Sequence, residues 1–292
     1  MRVAALLVLA LLCAAGPAAA QPIAVTDDSG QRVELAHPAR RIVSLAPHIT
    51  EQLFAIGAGD RIVATTEFSD YPTAAARLPR VARAHSVDLE RVAAARPDLI
   101  VIWGSGFPPT IIDSLRRLNA PVYVDEPRSL DGIASSMERL GRLTAASAAP
   151  RVAAEFRRRV EALRERYVSR TPVRVFYQIW AQPLMTLAGS HVINEAIRLC
   201  GGRNIFGNLA PIAPQVSIEA VVAADPQLIV TAEPDARPSG ALEQWRRFDT
   251  IAAVRHHQLV TLDANKINRD GPRIVDEIAV LCERIDAARR AR

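Results

Sequence analysis

The sequence contains very little lysine and no long apolar stretch beyond its first residues, and each shortage excludes a class of protein. Lys266 is the only lysine, so nearly all positive charge is carried by arginines spread among acids, with a net charge of +5. Proteins that bind nucleic acids concentrate positive charge in a stripe or cluster, and no such cluster is present. After residue 20, no stretch is long and apolar enough to span a bilayer. The sequence therefore predicts no nucleic-acid partner and no membrane-spanning segment after the leader.

The residue patterns of common enzymes are also missing. The sequence has no G-x-S-x-G, H-E-x-x-H, C-x-x-C or Walker motif. The histidines are scattered, apart from His256 and His257, whose side chains would point to opposite faces of a strand. We therefore predict no catalytic residues, no metal site and no cofactor.

The first twenty residues have the features of a secretory signal peptide. They carry one arginine, an apolar run over residues 3–12 and the small residues Ala18-Ala19-Ala20. Cleavage would leave Gln21 as the first residue of an exported, periplasmic protein. The alternative is a lipoprotein anchored through Cys13, although the bulky Leu12 before it is unusual at a lipidation site.

Removal of the leader would leave two cysteines, Cys200 and Cys282. Both lie in apolar helical patterns of the second half, and an oxidising compartment permits a disulfide, so we predict that they pair. The alternative is two buried free thiols. In the chain-entropy model, a bridge that closes a loop of this length contributes up to about 4 kcal/mol.

One stretch of the chain occurs twice. Residues 88–103 (DLERVAAARPDLIVIW) and 217–232 (SIEAVVAADPQLIVTA) share the order capping residue, glutamate, apolar helix, proline and buried strand. The glutamates, Glu90 and Glu219, fall in the first helical turn, where the helix dipole favours negative charge. Each copy therefore predicts a helix followed by a parallel strand.

A second pair of similar segments and a long amphipathic helix complete the predicted organisation. Residues 48–63 and 191–206 resemble each other in the same order along the chain, and residues 149–168 carry an apolar stripe at helical spacing. The pattern predicts an α/β fold of two similar lobes, joined by a single long rigid helix, with a ligand cleft between them. The predicted segments are a leader (1–20), an N-terminal lobe (21–145), the linking helix (146–170) and a C-terminal lobe (171–292).

Two tryptophans end predicted strands in the two halves. Trp103 ends the strand of the first repeat. In the second lobe, a predicted strand over residues 173–179 is followed by a loop of residues 180–183, and Trp180 stands at the point where the strand ends. The loop 67–72 also follows a strand. Because strand ends of α/β lobes hold ligands, the two indoles would face one cleft. For Trp103 the alternative is an aromatic that only covers the core.

Two tandem α/β lobes, a leader and no catalytic set are typical of a binding protein for an import system. The sequence resembles the periplasmic binding proteins of cobalamin, haem and ferric siderophore importers, over about residues 40–288. The matching segments are RIVSLAPHITE, FSDYP, VDLERVAAARPDLIVIW, RVFYQ, CGGRNIF, PQVSIE and GPRI, together with the two cysteines.

The resemblance implies roles for particular residues. In this family each lobe presents a surface glutamate to a membrane permease of an ABC importer, and the matching positions are Glu90 and Glu219. A flat ligand would lie against aromatic rings, which implies Phe68, Trp103 and Trp180. Polar groups available for the amide side chains of a corrin ring are Asn265, Lys266 and Arg269.

Three ligand classes remain open at this point. Cobalamin leads, because the resemblance is closest to the cobalamin-binding members. Haem would need an axial ligand, for which His85 or Tyr71 could serve. A catecholate siderophore would need converging arginines such as Arg83, Arg269 and Arg273. Outside transport, the alternative is a periplasmic enzyme on a two-lobed scaffold.

Overall fold

The computed structural model describes residues 22–83 and 86–291. The predicted leader and His85 lie outside the described residues. Within those ranges, none of the helices combines the length and the apolarity that crossing a bilayer requires.

The alternating pattern of residues 22–37 predicts a β-hairpin, and the described chain begins with an antiparallel hairpin around Asp27. Its strands are β1 (Ile23–Thr26) and β2 (Arg32–Leu35). The Asp27 carboxylate accepts hydrogen bonds from the backbone N–H groups of Ser29 and Gln31, both at 2.9 Å, and so closes the turn.

The first lobe, called the N-lobe here, is built on a six-stranded sheet with the order β6-β5-β4-β3-β7-β8 in the described residues. All neighbouring strands are parallel except β6, which runs antiparallel to β5. The sequence did not predict β5 and β6, because β5 has only four residues with an arginine at each end and β6, at the edge of the sheet, has only two. The strands are β3 (Ile42–Leu45), β4 (Ile62–Thr66), β5 (Arg80–Arg83), β6 (Ser86–Val87), β7 (Leu99–Trp103) and β8 (Val122–Asp125).

The helices of the N-lobe fall where local signals predict them. The side chain of Asp88 caps the helix of the first repeat by accepting a hydrogen bond from Arg91 N at 3.0 Å, and Ser129 caps the longest N-lobe helix in the same way. The helices are α1 (Pro47–Ala55), α2 (Leu89–Ala94), α3 (Pro109–Arg116) and α4 (Leu130–Thr144).

The helix α5 (Ala149–Tyr167) connects the two lobes and, with 19 residues, is about 28 Å long. It buries the predicted apolar stripe, including Phe156, Val160 and Tyr167. It packs against α4, where a Cβ at Gly141 would meet the Cβ of Ala149 at 2.2 Å, so this crossing requires a glycine. α5 is therefore packed along its length and is not a free tether.

The second lobe, the C-lobe, has a five-stranded sheet with the order β10-β9-β12-β13, and β11 pairs with the first part of β9. The expectation of a loop at residues 180–183 is wrong for Trp180 and Ala181. Both belong to β9, which continues because β10 pairs with it in an antiparallel hairpin. The strands are β9 (Val173–Ala181), β10 (Leu184–Thr186), β11 (Gly202–Asn204), β12 (Leu228–Glu233) and β13 (Leu259–Asp263).

The helix of the second repeat begins as predicted, since Ser217 Oγ accepts a hydrogen bond from Ala220 N at 3.1 Å. The polar residues of segment 263–273 predict a loop, but the segment contains a short helix, because Asp263 caps it by accepting a hydrogen bond from Asn265 N. The C-lobe helices are α6 (Val192–Leu199), α7 (Ile218–Ala224), α8 (Ala252–Arg255), α9 (Ala264–Ile267) and α10 (Ile274–Arg290).

One apolar core runs through both lobes. It begins at the hairpin, continues under the N-lobe sheet and along α5, and reaches α6 and α10. A smaller cluster lies on the other face of each sheet. Because the lobes share this core, the fold favours a nearly fixed lobe arrangement over a large hinge closure.

Cys200 and Cys282 lie inside the shared core. A disulfide joins Cys200, at the C-terminal end of α6, to Cys282 of α10, with the Cα atoms 4.6 Å apart. The bridge spans 82 positions of the sequence, which places it among the long-range contacts that define the C-lobe.

Candidate ligand cleft

Four of the exposed large apolar side chains in the described residues are aromatic, and all four were predicted to bind the ligand. The exposed fractions are 70% for Phe68, 61% for Trp180, 46% for Tyr71 and 37% for Trp103. Phe68 and Tyr71 lie in the loop after β4, and Trp103 is the last residue of β7. Since β3 separates β4 from β7 in the sheet, the three side chains share the carboxyl edge of the N-lobe sheet.

The carboxyl edges of the two sheets meet across the lobe boundary. In the N-lobe, Gln52 Nε2 donates a hydrogen bond to the backbone oxygen of Asp270 at 2.9 Å, and Asp270 follows the carboxyl end of β13 in the C-lobe. Trp180, near the carboxyl end of β9, belongs to the same edge of the C-lobe. The exposed rings therefore flank one cleft, as the switch-point rule for parallel sheets predicts.

Trp103 both covers buried groups and remains exposed. Its ring makes an edge contact with His48, with ring centroids 5.7 Å apart and an interplanar angle of 90°. It also lies close to Gly106, where an added Cβ would come within 2.3 Å of the indole. One part of the indole is therefore packed over the core, while 37% of the residue is exposed, and its contact with a ligand stays a prediction.

Phe68 adopts a backbone conformation that is rare for a bulky residue. Its φ is +63°, in the left-handed region, and the residue is 70% exposed. Such a conformation costs on the order of 1 kcal/mol and is over-represented at binding sites.

Four charged residues join the lobes beside these rings, and we call them the interlobe ion network: Glu51 and Asp70 of the N-lobe, Arg269 and Arg273 of the C-lobe. Glu51 accepts hydrogen bonds from Arg273 Nε at 2.7 Å and from Arg269 Nη1 at 2.9 Å. Arg269 Nη1 also donates to Asp70 Oδ1 at 2.8 Å. Burial alone would raise the pKa of Asp70, but the hydrogen bond and charge of Arg269 outweigh it and hold that pKa below its ordinary value.

The three polar residues expected to contact a ligand are already engaged within the protein. The guanidinium of Arg269 is held by two carboxylates in the interlobe ion network. Lys266 Nζ lies 3.2 Å from Asp263 and 3.5 Å from Glu277. The side chain of Asn265 donates to Asp235 at 3.1 Å and accepts from Arg269 at 3.3 Å. These contacts give all three residues an internal structural role.

Beneath Trp103 lies a cluster of titratable residues that sequence reasoning did not find. His48 Nε2 is 3.2 Å from Asp125 Oδ2, and Asp270 and Glu126 are close enough to act on the pKa of His48. Burial lowers the pKa of His48, but Asp125, Asp270 and Glu126 together outweigh it and raise that pKa. Burial, reinforced by Asp125 and Glu126, raises the pKa of Asp270 to about 6.

A pocket of about 380 Å³ begins directly after Trp103, at Gly104 and Ser105. The carboxylate of Glu126 forms part of its wall and accepts hydrogen bonds from Ser105 N at 2.7 Å and Ser105 Oγ at 2.9 Å. A larger cavity of about 710 Å³ lies at the opposite, amino edge of the N-lobe sheet, around Asp98. We assign the site to the carboxyl edge, because the exposed rings are there.

Comparison with known proteins identifies the family. Residues 42–266 match the family described as periplasmic binding protein. The chain belongs to this family. It is therefore a substrate-binding protein and not an enzyme, and the family binds small-molecule ligands and works with ABC importers.

Individual relatives lie within this family. The chain is 40% identical over 255 residues to a vitamin B12-binding protein of Vibrio cholerae, covering 87% of this chain and 91% of that protein. It is 37% identical to a vitamin B12-binding protein of Yersinia pestis, covering 86% and 88%. Both alignments extend over almost the whole length of the two proteins.

Solved structures of the family have the same two-lobed fold. The crystal structure of the periplasmic vitamin B12 binding protein BtuF of Vibrio cholerae has a TM-score of 0.79, with 38% identity, and covers 87% of this chain and 99% of that chain. The periplasmic heme-binding protein BhuT, in complex with two hemes, has a TM-score of 0.75 at 23% identity and covers 86% and 100%. At 23% identity, the similarity to BhuT shows a shared fold alone.

The two glutamates predicted to dock on a permease occupy equivalent places. Glu90 and Glu219 are exposed in the first turns of α2 and α7, the helices of the two repeats. A hydrogen bond with its own backbone N–H, and a second with Ser217, lower the pKa of Glu219. Both positions are open to a partner.

The arginines expected for a catecholate ligand do not form a free set. Arg273 and Arg269 converge, but on Glu51, and Arg83 is exposed with Glu67 at 3.8 Å. In residues 22–83 and 86–291, no group of three or more His, Cys, Asp or Glu side chains could hold a metal ion.

Proposed function

We propose that this protein captures cobalamin, or a related corrinoid, in the cleft between its lobes and delivers it to the membrane permease of an ABC importer. The observation that carries the proposal is the set of four exposed aromatic residues at the facing carboxyl edges. A corrin ring is broad, flat and largely apolar, and it would bury these rings on binding. The relatives named as vitamin B12-binding proteins support the same ligand.

The exposed rings and the paired arginines of the cleft favour a corrinoid over a catecholate. The aromatic faces of Phe68 and Trp180 are open, whereas Arg269 and Arg273 are neutralised by Glu51 and Asp70. A trianionic ferric catecholate needs unpaired positive charge, which the interlobe ion network does not offer. A corrin ring with uncharged amide side chains does not need unpaired positive charge.

Delivery and location follow from the same proposal. Glu90 and Glu219 lie at equivalent positions of the two repeats, so they would match a permease with two-fold symmetry. The leader would be cleaved before Gln21, and the mature protein would work as a periplasmic monomer. In that oxidising compartment Cys200 and Cys282 would form their disulfide.

A calorimetric titration of the purified mature protein with cyanocobalamin tests the proposal, with haemin and a ferric catecholate as competing ligands. We expect saturable one-to-one binding of the corrinoid, with submicromolar affinity, and much weaker binding of the other two. Tight haemin binding without corrinoid binding would overturn the proposed ligand and leave the importer family as the assignment.

A further inference from the structure

The interlobe ion network holds the loop that carries two of the exposed rings. Phe68, Asp70 and Tyr71 lie within the segment 67–72, and Asp70 accepts a hydrogen bond from Arg269 at 2.8 Å. The guanidinium carbon of Arg273 lies 3.9 Å from the centroid of the Tyr71 ring. Two arginines of the C-lobe therefore hold one loop of the N-lobe.

Both arginines are fixed by a single buried carboxylate. The Glu51 side chain is 1% exposed, and it accepts two hydrogen bonds from Arg273, at 2.7 and 2.6 Å, as well as the bond from Arg269. A planar guanidinium bound through two N–H groups has a defined orientation. Arg273 Nη2 also donates to the backbone oxygen of Asn265 at 3.0 Å, which fixes it further.

The arrangement determines which surface the loop offers to a ligand. Arg273 occupies one face of the Tyr71 ring in a cation–π contact, so stacking is left to the opposite face. Phe68 is three residues away on the same segment, in its left-handed conformation, and has no comparable packing of its own. Its position relative to the cleft therefore depends on how the loop is held.

We propose that Arg269 and Arg273 are positioning residues of the cleft: anchored on Glu51, they hold segment 67–72 so that Phe68 and Tyr71 present their free ring faces to the ligand. This inference rests on the proposed function. In this role both arginines act on the ligand through the rings of the loop. A network that only joins the lobes would contribute to stability and leave affinity unchanged.

The variant Asp70→Asn distinguishes a network that positions segment 67–72 from one that only joins the lobes. The Asp70 side chain is 58% exposed, and its neutralisation leaves Arg269 paired with Glu51, so no buried charge loses its last partner. We expect cyanocobalamin to bind at least about 5-fold more weakly, which corresponds to the loss of one partly exposed ion pair. We also expect faster amide hydrogen exchange over residues 67–72 in the ligand-free protein, with little change in the unfolding midpoint.

Two further variants complete the experiment. Arg273→Lys keeps a positive charge beside Glu51 but loses the two-pronged contact, and we expect it to weaken binding in the same direction. Asp276→Asn is the matched control: it removes one carboxylate from the Arg159–Asp276 pair, at 2.5 Å, which joins α5 to α10 and does not belong to the interlobe ion network. We expect this control to bind cyanocobalamin like the wild type.

The inference is overturned if Asp70→Asn binds like the wild type, if Asp276→Asn loses affinity equally, or if exchange over residues 67–72 does not change. A wild-type protein that binds no corrinoid would instead refute the proposed function. The exchange measurement on the ligand-free protein decides the positioning role in that case as well.

Discussion

The buried carboxyl group of Asp270 predicts a stability that depends on pH, and Asp270→Asn tests it. Burial raises the pKa of Asp270 to about 6, and the nearby Asp125 and Glu126 add to the effect, while the charge of His48 opposes it. The ordinary value is 3.8. The folded protein therefore binds this proton more tightly than the unfolded chain does.

The sign of the effect follows from this difference. A group whose pKa is higher in the folded state stabilises the fold below the unfolded pKa, and the stabilisation is lost as the pH rises through the folded pKa. For Asp270 the loss occurs between about pH 4 and pH 7. A difference between 3.8 and about 6 corresponds to at most about 3 kcal/mol, and the residual exposure of the residue reduces it to about 1–2 kcal/mol.

Asparagine imitates the protonated acid, so the variant does not undergo this loss. We expect Asp270→Asn to gain about 1–2 kcal/mol of unfolding free energy relative to the wild type when the pH is raised from about 4.5 to about 8. The raised pKa of His48 also contributes stability that disappears with rising pH, and loss of the Asp270 charge lowers that pKa in the variant. Urea unfolding followed by tryptophan fluorescence at the two pH values measures the difference.

The control is Asp113→Asn, which removes a carboxylate from the exposed side of α3, where Asp113 lies 3.5 Å from Arg116. Its difference from the wild type should stay the same at both pH values. The reasoning is refuted if the difference between wild type and Asp270→Asn is also independent of pH, or if the wild type becomes relatively more stable as the pH rises.

Three other predictions concern docking, stacking and the disulfide. The double variant Glu90→Arg, Glu219→Arg should abolish uptake in a transport assay while cyanocobalamin still binds; lost binding would contradict the docking role. Trp180→Ala should weaken cyanocobalamin binding about 10- to 100-fold in calorimetry, because burial of an exposed indole contributes about 1.5–3 kcal/mol, and unchanged affinity would remove Trp180 from the site. Replacing Cys200 and Cys282 with serine should lower the unfolding free energy in urea by up to about 4 kcal/mol, and an unchanged value in oxidised protein would show that no bridge forms.

Local sequence signals predicted the repeated helices and strands well. The caps at Asp88 and Ser217 and the prolines that end each helix act within a few residues, so α2, β7, α7 and β12 appear close to the predicted bounds. The same holds for the hairpin around Asp27. These signals depend on backbone conformation and capping, which a short window of sequence contains.

Elements that depend on a distant partner were predicted less well. β9 extends through Trp180 because β10 pairs with its end, and the sequence at residues 182–183 indicates only a turn. The strands β5 and β6 are too short to show the apolar pattern of the central strands, and they form by pairing outward from β4. These strands depend on tertiary contacts, which a short window of sequence does not contain.

The residues of the candidate site also differ in how well the sequence predicts them. Aromatic residues at strand ends can be recognised from sequence, because the strand pattern places them at an edge and a soluble chain has few reasons to expose them there. Charged residues carry no comparable signal. Arg269 looked available for a ligand, but its partner Glu51 lies 218 positions earlier, and only the fold brings the two together.

The position of the interlobe ion network explains why the family could be recognised from sequence more readily than the ligand. Three of the segments that carry the resemblance, HITE, FSDYP and GPRI, supply Glu51, Asp70 and Arg273 to that network. Buried charges of this kind tolerate few replacements, because removal of one partner leaves another charge without compensation. Phe68 and Trp180, which are 70% and 61% exposed, carry less constraint of this kind from folding. The motifs therefore supply residues that join the lobes, whereas we expect ligand choice to depend on Phe68, Trp103 and Trp180, which is where binding experiments should begin.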